Sequence, residues 1–506
     1  MSDITKRFAA DACAAGLRQA FGVPGSGQSL ELIDALEAGG CRFVTVQHEG
    51  AGAIMAGTLG RLSGRAGLSI GIKGPGFANM AAGLAACRLD AWPVIAAVEA
   101  YGPQVPAARA HKRMAHDGFT TAVAKGSRRL SEKGPEHARM AGWAEVEDPG
   151  PVVLELVGAN DEGQAPVPSR AIANRKLTER IRAAERPVVI AGTFAIRQGW
   201  SAALNGLNVP VFSTAAAKGV VDENAAQAAG VFTGVGLELA PESRILPQAD
   251  LVVGLGLRPS EVLATKPFAC DALNVDDLEA PGQEGFGFLD TVGVDGVFEA
   301  LGEADWGLDL VEAARRDLGA RLEEGPFLPA DAFAGVRERF DGDVRMVIDT
   351  GYFCTIGEHA WRAPAADLCL SSGSGRFMGI GLPQALAAAL SDSSRPTVLA
   401  TGDGGLGPYL AEAHLAVREQ LPLIVLLLSD GGYGSVRTRA VKDGLTQAPM
   451  LTPDRPWRAV FDGLGFATAE AHDADSLSAA LATPGPLFVA CRFDAEAYQD
   501  MVRGIR

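Results

Sequence analysis

The chain lacks what a membrane protein, a nucleic-acid binder or a secreted mini-domain would carry. No run approaches the roughly 20 apolar residues of a membrane-spanning helix, and Met1-Ser-Asp-Ile-Thr-Lys-Arg lacks the apolar core of a signal peptide, so a cytoplasmic protein is expected. Positive charge is in deficit. With 45 Lys and Arg against 61 Asp and Glu, the net charge of −16 excludes a surface built for nucleic acid or anionic lipid. The seven cysteines, at 13, 41, 87, 270, 354, 369 and 491, form no close pair, which excludes a disulfide framework or zinc knuckle and predicts mostly buried thiols. Short-period repeats and low-complexity tracts are absent. What is abundant is apolar material and glycine: 47% of 506 residues are hydrophobic and 62 are glycine, enough for about three domains of roughly 150 residues with many tight strand-to-helix turns.

Composition shifts place the boundaries. A first domain, 1–158, closes on the apolar strand Pro151-Val-Val-Leu-Glu-Leu-Val and is followed by a polar, proline-containing linker from Ala159. A central domain, 165–325, carries strands at Pro187-Val-Val-Ile-Ala, Val209-Pro-Val-Phe and Asp250-Leu-Val-Val-Gly-Leu-Gly, with helical patterns between them. The third domain, 328–506, opens with a helix near Leu328 and continues with the strand Arg345-Met-Val-Ile-Asp. Alternation of this kind predicts an α/β protein of three doubly wound parallel-sheet domains.

The most informative pair of residues is Asp403 and Asp430. Arg395-Pro-Thr-Val-Leu-Ala-Thr closes on Gly402-Asp403-Gly404-Gly405, and Leu421-Pro-Leu-Ile-Val-Leu-Leu-Leu closes on Ser429-Asp430-Gly431-Gly432; the stretch between reads as one helix. A parallel crossover brings successive strand ends to one sheet edge, so the two carboxylates are expected to meet there. Hard oxygen ligands beside glycine backbone and a helix N-terminus suit a divalent metal holding a phosphorylated ligand. Two turn aspartates on a buried sheet are the plainer alternative.

Gly402-Asp403-Gly404, followed after residues 405 to 429 by position 430, resembles the diphosphate-binding motif of thiamine-diphosphate enzymes, the acetolactate synthase, benzoylformate decarboxylase and pyruvate decarboxylase-like family. That family usually has Asn-Asn where this chain has Ser429-Asp430, so the implied Mg²⁺ site gains a negative charge. Upstream, Val44-Thr-Val-Gln-His48-Glu49 and the small-residue helix after it resemble the family's pyrimidine-binding segment. A carboxyl hydrogen-bonded to N1′ of the aminopyrimidine favours the imino tautomer that takes the proton from C2, the role implied for Glu49; alone, it would read as a first-turn acid. Ile72-Lys73-Gly74-Pro75-Gly76-Phe77-Ala78-Asn79, Phe21-Gly22-Val23-Pro24-Gly25 and Ser372-Gly373-Ser374-Gly375-Arg376-Phe377-Met378-Gly379 match further family segments.

The resemblance implies cofactor contacts from Pro24, Gly25, Asn79, Arg376, Phe377, Met378, Gly402, Asp403, Gly404, Gly405, Asp430, Gly432, Tyr433, Gly434 and Ser435. The carbonyl of Arg376 would accept from the 4′-amino group, and Met378 would wedge between the cofactor rings. Thiamine diphosphate and Mg²⁺ are the implied cofactors, with Asp403, Asp430 and Gly432 at the metal. A homodimer or dimer of dimers follows, with Glu49 and Asp403 serving one cofactor from different subunits. FAD is not expected: Leu257-Arg258-Pro-Ser-Glu departs from the FAD-binding pattern, and the central glycines complete no dinucleotide motif.

Substrate residues are Ser26, matching a carboxylate-binding serine of benzoylformate decarboxylase-like relatives, Lys73 and Lys112. Lys73 and the run His111-Lys112-Arg113 are departures towards positive charge, which point to a 2-oxo acid with a second anionic group; a basic run can equally be a solvated face. His48 and His111 are candidates for later proton transfers, while His359 and His414 read as structural. Non-oxidative decarboxylation of a 2-oxo acid stands first, carboligation in the manner of acetolactate synthase second, and a non-catalytic cofactor-binding relative third; a dinucleotide-dependent oxidoreductase is a fourth reading.

Overall fold

The computed structural model describes residues 3–25, 27–101, 112–130, 136–156, 175–234, 237–258, 261, 268–276, 291–452 and 455–501. Three six-stranded sheets, parallel throughout, account for the strands. The first contains β1 (Gln19–Gly22), β2 (Arg42–Thr45), β3 (Gly67–Gly71), β4 (Val94–Glu99), β5 (Ser127–Arg129) and β6 (Pro151–Leu156) in the order β2-β1-β3-β4-β6-β5. The second holds β7 (Pro187–Ala191), β8 (Val211–Ser213), β9 (Ala228–Val231), β10 (Leu251–Leu255), β11 (Asp271–Val275) and β12 (Thr291–Val292), ordered β12-β11-β10-β7-β8-β9. The third is built from β13 (Arg345–Ile348), β14 (Cys369–Ser371), β15 (Thr397–Thr401), β16 (Leu423–Ser429), β17 (Ala467–Ala471) and β18 (Leu487–Arg492), in the order β14-β13-β15-β16-β18-β17.

The first and third sheets have the same topology, each strand of one having a counterpart at the same place in the other. Their central strands read as continuous apolar runs because helices cover both faces: every residue of β4, β6 and β15 is buried, and so is β16 up to Ser429. In each sheet the winding direction reverses beside the first strand, between β1 and β3 and between β13 and β15. In open α/β sheets ligands bind beyond the carboxyl ends of the strands at such a switch point.

Chain contacts divide the protein into two compact units, one of Met1–Val167 with Leu382–Ser393 and Pro408–Leu421, the other of Pro168–Gly381, Ser394–Gly407 and Pro422–Arg506. The second and third sheets thus share a unit. The expected strands at 187, 250 and 345 and the helix near Leu328 are present, the last as Pro329–Phe340, whereas the strand expected from Val209 is trimmed to Val211–Ser213 behind Pro210, which has no N–H for a ladder. The linker expected from Ala159 lies outside the described residues. The single helix expected between the two aspartates is also corrected. Gly404, Gly405, Gly407 and Pro408 resist helix formation, and what forms is a loop, a 3-10 turn at Leu410–Ala413 and a short helix, His414–Arg418. All seven cysteines are free thiols, and burial pushes Cys41 up to about 12. No helix among the described residues is long and apolar enough to cross a membrane.

Candidate functional site

In the third sheet β15 and β16 pair directly, Thr401 opposite Leu427, which brings the turn carrying Asp403 beside the turn carrying Asp430. Ser429 Oγ donates to Asp403 Oδ2 at 2.7 Å, and Asp430 Oδ1 accepts from the Gly432 N–H at 3.2 Å. Asp403 is buried, 8% exposed. Burial, with the neighbouring Asp403 charge adding to it, pushes the Asp430 carboxyl up to about 6. The two turns are therefore neighbours, and their carboxylates combine like charge with partial desolvation, a combination that a cation relieves.

The loop after β14 closes on the same place. Met378 is 42% exposed, unusual for an apolar side chain, and a Cβ at Gly404 would lie 2.8 Å from its Sδ and 2.6 Å from the Tyr433 ring. A side chain at 404 would displace Met378 or Tyr433, which already occupy that space. Arg376 takes a left-handed φ of 50°, while its guanidinium ion-pairs with Glu358 and donates to Cys354 Sγ at 3.1 Å, so the side chain anchors the loop. The Phe377 N–H donates to Ser372 Oγ at 3.0 Å. Tyr433 N–H donates to the Met450 carbonyl at 2.8 Å, and Gly434 and Ser435 open the helix Gly434–Lys442, whose first-turn N–H groups are unpaired within the helix.

In the first sheet, Glu49 is the first residue of the helix Glu49–Ser63, 8% exposed, with Oε2 accepting from Asn79 Nδ2 at 2.9 Å. Asn79 reaches it from the helix Pro75–Leu89. His48 has a capping role: its Nδ1 accepts from the Gly50 N–H at 3.0 Å, and its ring meets Tyr409 edge-on with centroids 5.6 Å apart. The turn before Glu49 is pinned by Glu412, whose carboxylate accepts from the N–H groups of Gln47 at 2.9 Å and His48 at 3.0 Å. Burial raises the Glu412 carboxyl above its ordinary range, and those two donors pull it back.

Lys73 is placed differently from the sequence expectation of a charge open to substrate. It is ion-paired with Glu99, the last residue of β4, which also accepts from Ser29 N at 3.0 Å and Ser29 Oγ at 2.6 Å. Burial raises the Glu99 carboxyl, but Lys73 and Ser29 more than offset it and its pKa ends below the usual range. Gly25 lies against this group, since a Cβ there would fall 2.1 Å from Ile72 Cγ2 and 2.6 Å from Ser29 Oγ; Pro24 precedes it in the chain. Arg113 stands beside Lys73, whereas Lys112 approaches this group only through its backbone. Lys73 Nζ and Arg113 Cζ lie 5.3 and 5.4 Å from the Tyr101 ring centre, and a Cβ on Gly74 would lie 2.1 Å from the Lys112 carbonyl. Exposed Lys112 keeps its side chain towards solvent. Ser26 and His111 lie outside the described residues.

Several residues at these sites carry little or no signal in the sequence. His116 is buried, its Nε2 accepting from the Gly74 N–H at 3.3 Å and its Nδ1 paired with Glu155 at 3.1 Å. Glu99, Asp349 and Glu412 are buried carboxylates that gather donors at loop junctions. The available signal for Glu99 and Asp349 is an acid closing an apolar strand; Glu412 and His116 leave none. In the central domain Arg258 pairs with Asp276 at 2.6 Å and lies over the Phe194 ring at 4.1 Å.

Comparison with known proteins agrees with this layout. Residues 5–119 match the family model described as thiamine pyrophosphate enzyme, N-terminal TPP binding domain; 175–277 match the central domain of that family; 349–491 match its C-terminal TPP binding domain. The catabolic acetolactate synthase of Raoultella terrigena is 26% identical, covering 95% of this chain and 93% of its own. A probable 2-ketoarginine decarboxylase of Pseudomonas aeruginosa is 28% identical over 91% and 88%, and pyruvate oxidase of Lactiplantibacillus plantarum 25% over 83% and 76%. With all three domain models matched in order on three parallel sheets, the chain belongs to the thiamine-diphosphate-dependent enzymes.

Proposed function

We propose that the chain is a non-oxidative decarboxylase of a 2-oxo acid bearing a second anionic group, using thiamine diphosphate held through Mg²⁺. The observation that carries the catalytic part is Glu49, a buried carboxyl at a helix start with Asn79 donating to one oxygen, so that the other can face a ring nitrogen. When bound, the cofactor would supply the electron sink for decarboxylation. Glu49 holds and moves the proton at N1′, and Asn79 fixes its orientation. Asp403, Asp430 and the Gly432 carbonyl would hold Mg²⁺, the remaining ligands being phosphate oxygens and water. The first turn of the helix Gly434–Lys442 offers N–H groups to the diphosphate. Exposed Met378, between Gly404 and Tyr433, offers an apolar shelf that the two rings would cover.

The anionic-substrate part rests on Lys112 and Arg113, because Glu99 balances the charge of Lys73. Carboligation is the second reading, favoured by several relatives named acetolactate synthase; the two differ in whether a proton or a second carbonyl compound completes the product. A homodimer or dimer of dimers in the cytoplasm completes the proposal. The test incubates the protein with thiamine diphosphate, Mg²⁺ and a panel of 2-oxo acids, with and without aldehyde acceptors, reading products by mass spectrometry. Free aldehyde from an acidic 2-oxo acid is expected. A hydroxyketone as sole product would replace decarboxylase by ligase, and Glu49→Gln with turnover intact would end the assignment. Lys112→Gln should raise KM for a diacid several-fold and leave pyruvate unaffected; equal effects on both remove the anionic requirement.

A further inference from the structure

Asp349 follows β13 at the switch point of the third sheet and is 2% exposed. Nothing in the proton transfers or metal binding above uses it. Its surroundings are all donors. Oδ1 accepts from the N–H of Thr350 at 2.8 Å and of Gly379 at 2.9 Å; Oδ2 accepts from Gly379 N–H at 3.2 Å and from Thr401 Oγ1 at 3.1 Å, and the Gly381 N–H also bonds the carboxylate. Space confirms how tightly these pieces meet: a Cβ on Gly405 would lie 2.2 Å from Asp349 Oδ2, and one on Gly381 2.7 Å from Asp349 Cβ. One side chain thus ties together the loop that carries Arg376 and Met378, the last residue of β15 immediately ahead of Gly402-Asp403, and the Gly405 turn.

We propose that Asp349 is a positioning residue for the cofactor: it fixes the Met378 loop in register with the Asp403 turn, so that the ring support and the diphosphate anchor are preset at one spacing. This deepens the reading of Met378 and Asp403 as cofactor contacts and rests on it. The chemistry requires a carboxylate. Four donor groups converge on two oxygens, and an amide would turn an –NH₂ against at least one N–H, leaving a buried donor without an acceptor. Leaving Met378 and Asp403 intact but unfastened costs preorganisation, which is where supporting contacts commonly contribute about 10–100-fold in affinity.

The experiment is a titration of the metal-loaded full-length protein with thiamine diphosphate, followed by intrinsic fluorescence or calorimetry, for wild type, Asp349→Asn, Thr401→Val, Met378→Ala and Asp349→Asn/Met378→Ala. The expected result is a Kd raised about tenfold by Asp349→Asn, a smaller rise for Thr401→Val, which removes one donor and no charge, and non-additivity in the double variant because both changes act through one loop. Asp349→Glu, which restores the acceptors, should recover part of the loss. Unchanged Kd in Asp349→Asn, or in Thr401→Val where the first variant does not fold, overturns the proposal, and so does strict additivity with Met378→Ala. Absence of binding by wild type would instead overturn the cofactor reading itself.

Discussion

The first and third sheets share a topology, yet they place opposite chemistry at the same place. Two residues beyond β3 stands Lys73, and β4 ends in Glu99; two residues beyond β15 stands Asp403, and β16 is followed at once by Asp430. In the first sheet the strand ends carry opposite charges and satisfy one another, with Ser29 completing the set. In the third they carry like charges, and burial with the Asp403 field pushes Asp430 up to about 6. The first arrangement is closed and structural. The second is left electrostatically incomplete, which is what a cation site requires. One fold thus supplies a position, and the charge at that position decides whether the strand ends satisfy one another, as Lys73 and Glu99 do, or are left with unbalanced like charge, as at Asp403 and Asp430.

The largest expected effect comes from breaking the second arrangement. Asp403→Ala should weaken thiamine diphosphate binding in Mg²⁺ by about 100-fold or more, since it removes the carboxylate proposed to hold the hard cation; a titration within a few-fold of wild type would make Asp403 a turn residue only. Next comes the closed pair. Glu99→Gln strands the Lys73 ammonium beside a buried amide, and denaturant unfolding at pH 7 should show a loss of about 2–4 kcal/mol, near the range for breaking a buried pair. Because the Glu99 pKa is depressed in the folded state, its stabilisation is present above the ordinary carboxylate pKa and is lost as pH falls through the folded value. The wild-type advantage over Glu99→Gln should therefore shrink in acid. A constant difference down to pH 3 would mean packing, not charge, is responsible.

The smallest effect has the opposite sign. Asp430 is raised from 3.8 to about 6, so the folded, metal-free chain binds a proton more readily than the unfolded chain between those values. That stability is fully present below pH 3.8 and is lost as pH rises through about 6. Asp430→Asn removes the cost, and the metal-free protein should gain about 1–3 kcal/mol at pH 8 by thermal unfolding and nothing near pH 4. The substitution should leave activity intact and tighten cofactor retention by removing one negative charge beside the diphosphate. Loss of activity would give the carboxylate a role beyond metal binding.

Much of this was legible in order along the chain. The strands at 187, 250, 345, 397 and 423 announced themselves as apolar runs closed by glycine or an acid, because a parallel strand buried on both faces has no alternation to hide in. Asp403, Asp430 and Glu49 were legible because each ends such a run or starts a small-residue helix. Lys73 shows the limit. Its type was visible, but the partner that neutralises it is 26 residues away on another strand, and pairing across a sheet has no local signature. His48 invites an acid–base reading by its titration range, while its position one residue before a helix gives its ring a capping role.

Sequence alone thus determined the three alternating α/β segments, the cofactor motifs and the charge type at each strand end, since periodicity, turn chemistry and side-chain identity are local properties. The tertiary structure decided which of those charges are spent on each other and which are left over. Only folding brings Glu99 to Lys73, Glu412 to the turn before Glu49, and Asp349 to Gly379, Thr401 and Gly405. Whether a carboxylate acts or supports depends on the donors that surround it, and those arrive from distant parts of the chain.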